Sequence, residues 1–316
     1  MKPILGSFEF GERQVFVPAY GVFVTLAFIV AIVMATRRGK RRGFPAEGLL
    51  DLAWWVLVTS LIGARLFYVF QHAGDFAALC FGAAEGSGRA ASGGFSDCVA
   101  PLRIWEGGLV FYGGVIGAAA YSWWYARRKR WSFPMLADAV APALAAGHAI
   151  GRLGCYAAGC CYGHPCSDGV FCVRFPSGSV AYEHLTKPGS VDMVAPPVFA
   201  LQLVEALALL LICVGLLLWQ RRQRWAGQLF VIYLVAYGVV RFVLELYRGD
   251  DARRFIASLV IPSIARVLGL PAEAPLLLST SQAVSLALIA AALLWARRLR
   301  AQGSHTQPVR PAVVTE

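Results

Sequence analysis

Seven apolar stretches, each near the roughly 20 residues that a bilayer-crossing helix needs, divide this 316-residue chain. They run over about residues 17–36, 48–70, 107–126, 134–157, 197–219, 227–247 and 279–296. A soluble fold has no core large enough for that much apolar length. A composition of 58% hydrophobic and 15% charged residues places the chain among polytopic membrane proteins. The expected fold class is therefore all-α, a bundle of seven transmembrane helices, with the lipid bilayer itself as a partner.

The net charge of +11 would suggest nucleic acid in a soluble protein, but its distribution excludes that partner. Fifteen of the 29 Lys and Arg lie in four short runs, Arg37–Arg42, Arg127–Arg130, Arg221–Arg224 and Arg297–Arg300. Each run follows an apolar segment: the first, third, fifth and seventh. Short basic loops stay in the cytoplasm, so this alternation predicts an N-terminus outside and a C-terminus inside. Lys2 and Arg13 are the positive charges ahead of the first span, and no cleavable signal is expected before it. Residues 1–300 are expected to form a single membrane domain in the bacterial cytoplasmic (inner) membrane. Longer outer loops fall at about 72–104, 162–196 and 248–278. The stretch "FIASLVIPSIARVLGL" within the last reads as a helix lying on the membrane surface, and 301–316 as a disordered tail.

A charge at membrane depth is costly unless paired or hydrated, so each one marks a site worth explaining. The residues concerned are Arg65, Asp138, Arg152, Glu205, Arg241 and Glu245. Arg241 and Glu245 stand four apart on one helix face and can pair. Structural ion pairing accounts for Arg65, Glu205, Arg241 and Glu245 taken singly. Taken together, Arg65, Arg152 and Arg241 all lie toward the outer ends of their segments. Three guanidiniums at one depth would form a cationic pocket suited to the phosphate of a phospholipid. The glycines of "EGGLVFYGGVIGA" (residues 106–118) permit close approach of a helix or a ligand there, or serve plain helix packing.

The segment "HAIGRLGCYAAGCCYGHPC" (148–166) adds cysteines to this site. Of the eight cysteines, Cys213 lies deep in an apolar span as a small core residue. Cys80, Cys98, Cys166 and Cys172 fall outside, where disulfides persist, and nearness in sequence pairs Cys80 with Cys98 and Cys166 with Cys172. Cys155, Cys160 and Cys161 are left as inert filler or as a reactive thiolate favoured by Arg152. Metal binding is disfavoured, because adjacent cysteines ligate one zinc ion poorly and no second ligand pair is spaced for it.

"GRLGCYAAGCCYG" resembles the signature segment of the prolipoprotein diacylglyceryl transferase family, G-R-x-G-N-F-x-N-x-E-x-x-G. "AYGVF", "GARLFYVF", "GGLVFYGGVIG", "LQLVEA" and "YGVVRFVLELYRGDD" agree with that family in order, so the likeness spans about residues 4–300. The resemblance implies transfer of the diacylglyceryl group of phosphatidylglycerol to the thiol of a preprolipoprotein, with glycerol phosphate leaving and no cofactor. It implies Arg152 and Arg241 as phosphate-contacting residues, with Tyr20, Tyr237, Glu245 and Gly163 around the cavity, joined by Arg65, Glu205 and Cys155. The sequence departs from the family where its histidine is Tyr112, its signature asparagine Cys155 and its signature glutamate Cys160. A tyrosine, with a pKa of about 10, is a poor base at neutral pH. The expected catalytic set is thus Arg152, Arg241, Tyr112, Cys160 and Cys161. The alternatives are a membrane thiol enzyme, with the lipid or a redox change carried on Cys160 or Cys161, and a lipid-binding protein on the same fold with a different acceptor or none.

Overall fold

The computed structural model describes residues 4–10, 13–80, 98–103, 107–167, 169–186, 194–249, 255–260, 263 and 277–302. The chain opens with a hairpin of β1 (Ile4–Phe10) and β2 (Arg13–Pro18) and is then mostly helical. The long helices are α1 (Ala19–Arg41), α2 (Ala46–Gln71), α4 (Phe111–Arg128), α5 (Phe133–Ala158), α7 (Leu201–Trp219), α8 (Gln228–Leu244) and α9 (Thr280–Ala301). All seven apolar stretches are therefore helical. Six of these helices (all but α4) are long and apolar enough to cross a membrane. The 18 residues of α4 end in Arg127 and Arg128 and are interrupted by Gly, Tyr and Trp, so α4 falls short of that measure.

Short elements fill the connections: α3 (Ala73–Cys80), α6 (Val180–Leu185), a pair formed by β3 (Cys172–Val173) and β4 (Val198–Phe199), and a pair formed by β5 (Phe255–Leu259) and β6 (Leu277–Ser279). The apolar run at 255–270 departs from its expected helix. Phe255–Leu259 is extended and pairs antiparallel with β6, so strand pairing supplies its backbone partners. Residues 264–270 lie outside the described residues, as do most of the 72–104 loop and of the 301–316 tail.

By contacts the described residues form two compact units, one drawn from residues 1–42 and 134–308, the other from residues 43–133. In the first, α5 is the most enclosed helix, and Ala139, Ala141, Ala143 and Ala145 have no exposed surface. Small side chains let neighbouring helices approach, which is how apolar helices gain contact where lipid removes the hydrophobic drive. α8 packs between α7 and α9. At the ends carrying the basic runs, Asp138 is fully buried and organises three helices. Its carboxylate accepts from the Gly227 N–H (2.6 Å) and the Phe230 N–H (3.0 Å) in the first turn of α8, and from Gln223 Nε2 (2.5 Å). Arg42 at the end of α1 pairs with it at 3.6 Å, and Arg38 donates to the Ala139 carbonyl. A carboxylate at a helix N-terminus satisfies orphan N–H groups and the helix dipole together.

In the second unit, α2 and α4 touch backbone to backbone. A Cβ on Gly63, Gly113 or Gly117 would run into a carbonyl of the facing helix. Arg65 lies in this unit, 8% exposed. It donates to the carbonyls of Pro101 (2.7 Å), Gly107 (2.6 Å) and Gly108 (3.1 Å), and so holds the glycine turn that leads into α4.

Candidate active site

The signature segment gets its shape from how α5 ends. Gly159 takes φ +74°, its N–H donates to the Tyr156 carbonyl, and the next N–H, of Cys160, donates to the Cys155 carbonyl. These two bonds are a Schellman cap, in which the residue after the glycine folds back over the residue five before it. Those two residues are Cys160 and Cys155. Cys161 then adopts φ +60°, rare for a residue with a side chain. The turn brings the three sulfurs within 4.8 Å of one another, all half-buried.

The loop beyond is fixed from two sides. Gln202 Nε2, in the first turn of α7, donates to the Cys160 carbonyl at 2.6 Å. Gly163 donates to the Phe199 carbonyl and bridges to Arg248. A Cβ on Gly163 would sit 2.8 Å from the Tyr247 carbonyl, so the close pass needs glycine. The Cys166–Cys172 and Cys80–Cys98 disulfides both form as expected from spacing.

The charged residues converge beside this loop. Glu205 on α7 is 1% exposed and faces Arg152 of α5 at 2.9 Å and Arg241 of α8 at 3.9 Å. Arg241 also meets Glu245 at 2.6 Å and donates to Ser281 Oγ at 3.3 Å. Glu245, equally buried, takes Arg248 at 3.8 Å and a hydrogen bond from Ser279 Oγ at the start of α9. The Arg152–Glu205 and Arg241–Glu245 contacts are charge to charge, without hydrogen-bond alignment at Glu205 Oε1 and Glu245 Oε2. Among the described residues, three guanidiniums and two carboxylates share this cluster. Tyr237 stacks on Tyr233 and meets His148 edge-on, lining the same helix ends.

Burial of charge thus follows the expected residues closely. Arg152, Arg241, Glu205, Glu245, Gly163, Cys155, Cys160 and Cys161 gather in one region of the first unit. Tyr20, 46% exposed at the start of α1, lies within electrostatic reach of the three thiols and of Arg152. Arg65 and Tyr112 belong to the second unit; Tyr112 is 37% exposed in the first turn of α4. Arg248, Gln202 and Ser281 are participants that sequence reasoning passes over. Arg248 sits inside the quoted "LYRGDD" and Gln202 inside "LQLVEA", so their motifs held the signal.

The Cys161 thiol is held well below the usual thiol range by hydrogen bonds from the Cys155 and Cys160 thiols, with help from the Arg152 and Arg248 charges. The Cys160 thiol, which lies against the Cys155 carbonyl at 3.7 Å, is pushed up by its contacts with Cys155 and Cys161 and by burial. A cavity of about 730 Å³ lined by Trp219, Arg222, Arg224, Trp225, Gln228 and Arg300 lies at the opposite ends of α7, α8 and α9, and takes no part in this site.

A family model described as prolipoprotein diacylglyceryl transferase matches residues 8–297. The chain belongs to that family. As a member it is a membrane transferase. It is 26% identical over 250 residues to the phosphatidylglycerol–prolipoprotein diacylglyceryl transferase of Clostridium tetani, covering 79% of this chain and 86% of that protein. The same-named protein of Halalkalibacterium halodurans is 30% identical, covering 93% of this chain and 87% of its own length. That of Rhodococcus jostii is 37% identical, covering 74% of this chain and 62% of its own length.

Proposed function

We propose that the chain transfers the diacylglyceryl group of phosphatidylglycerol to the lipobox cysteine of a preprolipoprotein, with Arg152 and Arg241 holding the lipid phosphate. The observation that carries this is Glu205, which holds these two guanidiniums side by side from two other helices at 2.9 and 3.9 Å. Arginines set in place before substrate arrives present charge-assisted donors without reorganisation, and they stabilise the second negative charge that builds on the phosphate as glycerol phosphate departs. Glu245 and Ser281 orient Arg241, Gly163 and Gln202 fix the loop beside the phosphate, and Tyr20 and Tyr237 border the lipid.

The transferase acts as one membrane domain of seven spans, with α4 as the third. Its N-terminus is outside, its C-terminus cytoplasmic and its site toward the outer leaflet of the inner membrane. The basic runs after α1, α4, α7 and α9 support that orientation. Arg65 shapes the loop entering α4, whose first turn carries Tyr112. Covalent carriage of the lipid on Cys160 or Cys161 is the weaker alternative, because a thioether does not release its alkyl group and turnover would stop.

The test uses the purified full chain in detergent with labelled phosphatidylglycerol and a lipobox peptide. Label is expected on the peptide cysteine and none on the protein's own thiols by mass spectrometry. An inactive wild type, or wild-type rates in both Arg152→Ala and Arg241→Ala, overturns the assignment.

A further inference from the structure

A thiol-alkylating enzyme must take a proton from its acceptor, and the phenol of Tyr112 is a poor base for that at neutral pH. The three free thiols point to another means. Spacing along the chain argues against a common ligand set, yet the Schellman cap and the left-handed Cys161 bring all three sulfurs together. We infer that Cys155, Cys160 and Cys161 form a three-thiolate zinc site whose open fourth position binds and activates the acceptor thiol.

The geometry suits that ion. Zinc takes thiolate sulfur at about 2.3 Å, which sets tetrahedral ligands roughly 3.8 Å apart. The sulfurs already lie within 4.8 Å, so closure asks each to move by about an ångström or less. The charge suits it too. Zinc with three thiolates carries one net negative charge, which the neighbouring Arg152 and Arg248 guanidiniums favour. Structural zinc sites close with a fourth protein ligand, whereas a three-ligand site keeps a place for substrate. Among the described residues no fourth His, Cys, Asp or Glu joins the cluster. The three residues that carry it are each half-buried rather than enclosed.

The inference rests on the diacylglyceryl transfer proposed above, and its chemistry closes. The acceptor R–SH binds zinc as R–S⁻ and gives its proton to water, since a thiol that ligates zinc is deprotonated. The bound sulfur's electron pair attacks the glyceryl carbon that carries the phosphate. A C–S bond forms as the C–O bond breaks, and that electron pair leaves on glycerol phosphate, held by Arg152 and Arg241. Zinc keeps its oxidation state throughout.

Metal content and transfer are measured separately on the full chain in detergent. Purified with Zn²⁺ present, the wild type is expected to hold about one zinc per chain, and replacing zinc with Cd²⁺ to give a thiolate-to-cadmium charge-transfer band. Adding a lipobox peptide should raise that band by about one third, as a fourth thiolate joins three. A Ser-for-Cys peptide should leave it unchanged. Cys160→Ser and Cys161→Ser should lose the band, while Cys213→Ser, which removes a buried thiol remote from the cluster, should keep it and report that the fold tolerates Ser. An enzyme that transfers lipid while free of metal and silent with Cd²⁺ overturns the zinc site and leaves the transferase assignment standing. Stoichiometric metal without any transfer to peptide leaves the site standing and overturns the assignment. A cadmium band that ignores the peptide overturns the acceptor role.

Discussion

Glu205 shows how much rests on one side chain. It is buried and faces two arginines, so on the proposed function removing Arg152 is expected to do two things: the phosphate loses a charge-assisted contact worth about 1.5–3 kcal/mol, and a buried carboxylate loses its nearest partner. These separate experimentally. Arg152→Ala should lower both the unfolding temperature and transfer, the latter by at least about tenfold. Adding Glu205→Gln should recover most of the stability and none of the rate. A double variant that transfers at the wild-type rate would show Arg152 to be an ion-pair partner alone. Arg241→Lys should also transfer poorly, because an ammonium cannot span phosphate, Glu245 and Ser281 as a planar fork does. Its expected signature is a fall in lipid transfer with little change in unfolding temperature.

Helices are the best-marked level of the sequence, because twenty apolar residues in a row admit few other structures, and all seven are found close to the expected bounds. Pairs within a helix are legible as well: Arg241 and Glu245 meet at the i,i+4 spacing. What depends on where different helices stop is not. Glu205 reaching Arg152 and Arg241, Asp138 capping α8, and Cys160 folding over Cys155 each need a tertiary register or a turn that no periodicity encodes. The 255–259 run fails for another reason, since apolarity alone does not distinguish a helix from a strand with a partner twenty residues on. Three predictions belong to this scale. Asp138→Asn replaces one accepting oxygen with an NH2 donor that faces N–H donors it cannot satisfy, and should cost about 1–3 kcal/mol, seen as a lower thermal midpoint, with the transfer rate of the folded fraction unchanged. Gly113→Val should prise α2 from α4 and sharply cut folded yield on size exclusion. Gly215→Ala in α7, where a Cβ meets nothing within 4 Å, should be neutral or stabilising by up to about 1 kcal/mol.

At the scale of the whole chain, basic runs follow alternate helices and the disulfides lie in the connections between the others. A reporter active only outside the membrane should be on when fused near Ser167 and off near Arg128; the reverse pattern would turn the protein over and move the arginines to the wrong leaflet. The connection that carries Cys166–Cys172 also bears on how the protein is made. Between residues 155 and 172 lie five cysteines, of which Cys166 and Cys172 are joined and the other three are free. One bridge among five thiols can form in ten ways (5 × 4 / 2), and a single one matches the native loop. Thiolates exchange readily with nearby disulfides, so a newly inserted chain reaching an oxidising compartment samples wrong bridges before the right one. A copy stalled with Cys160 or Cys161 in a bridge would be full length, inserted and inert. Correct pairing of this loop is then as much a condition for working enzyme as the synthesis of the chain.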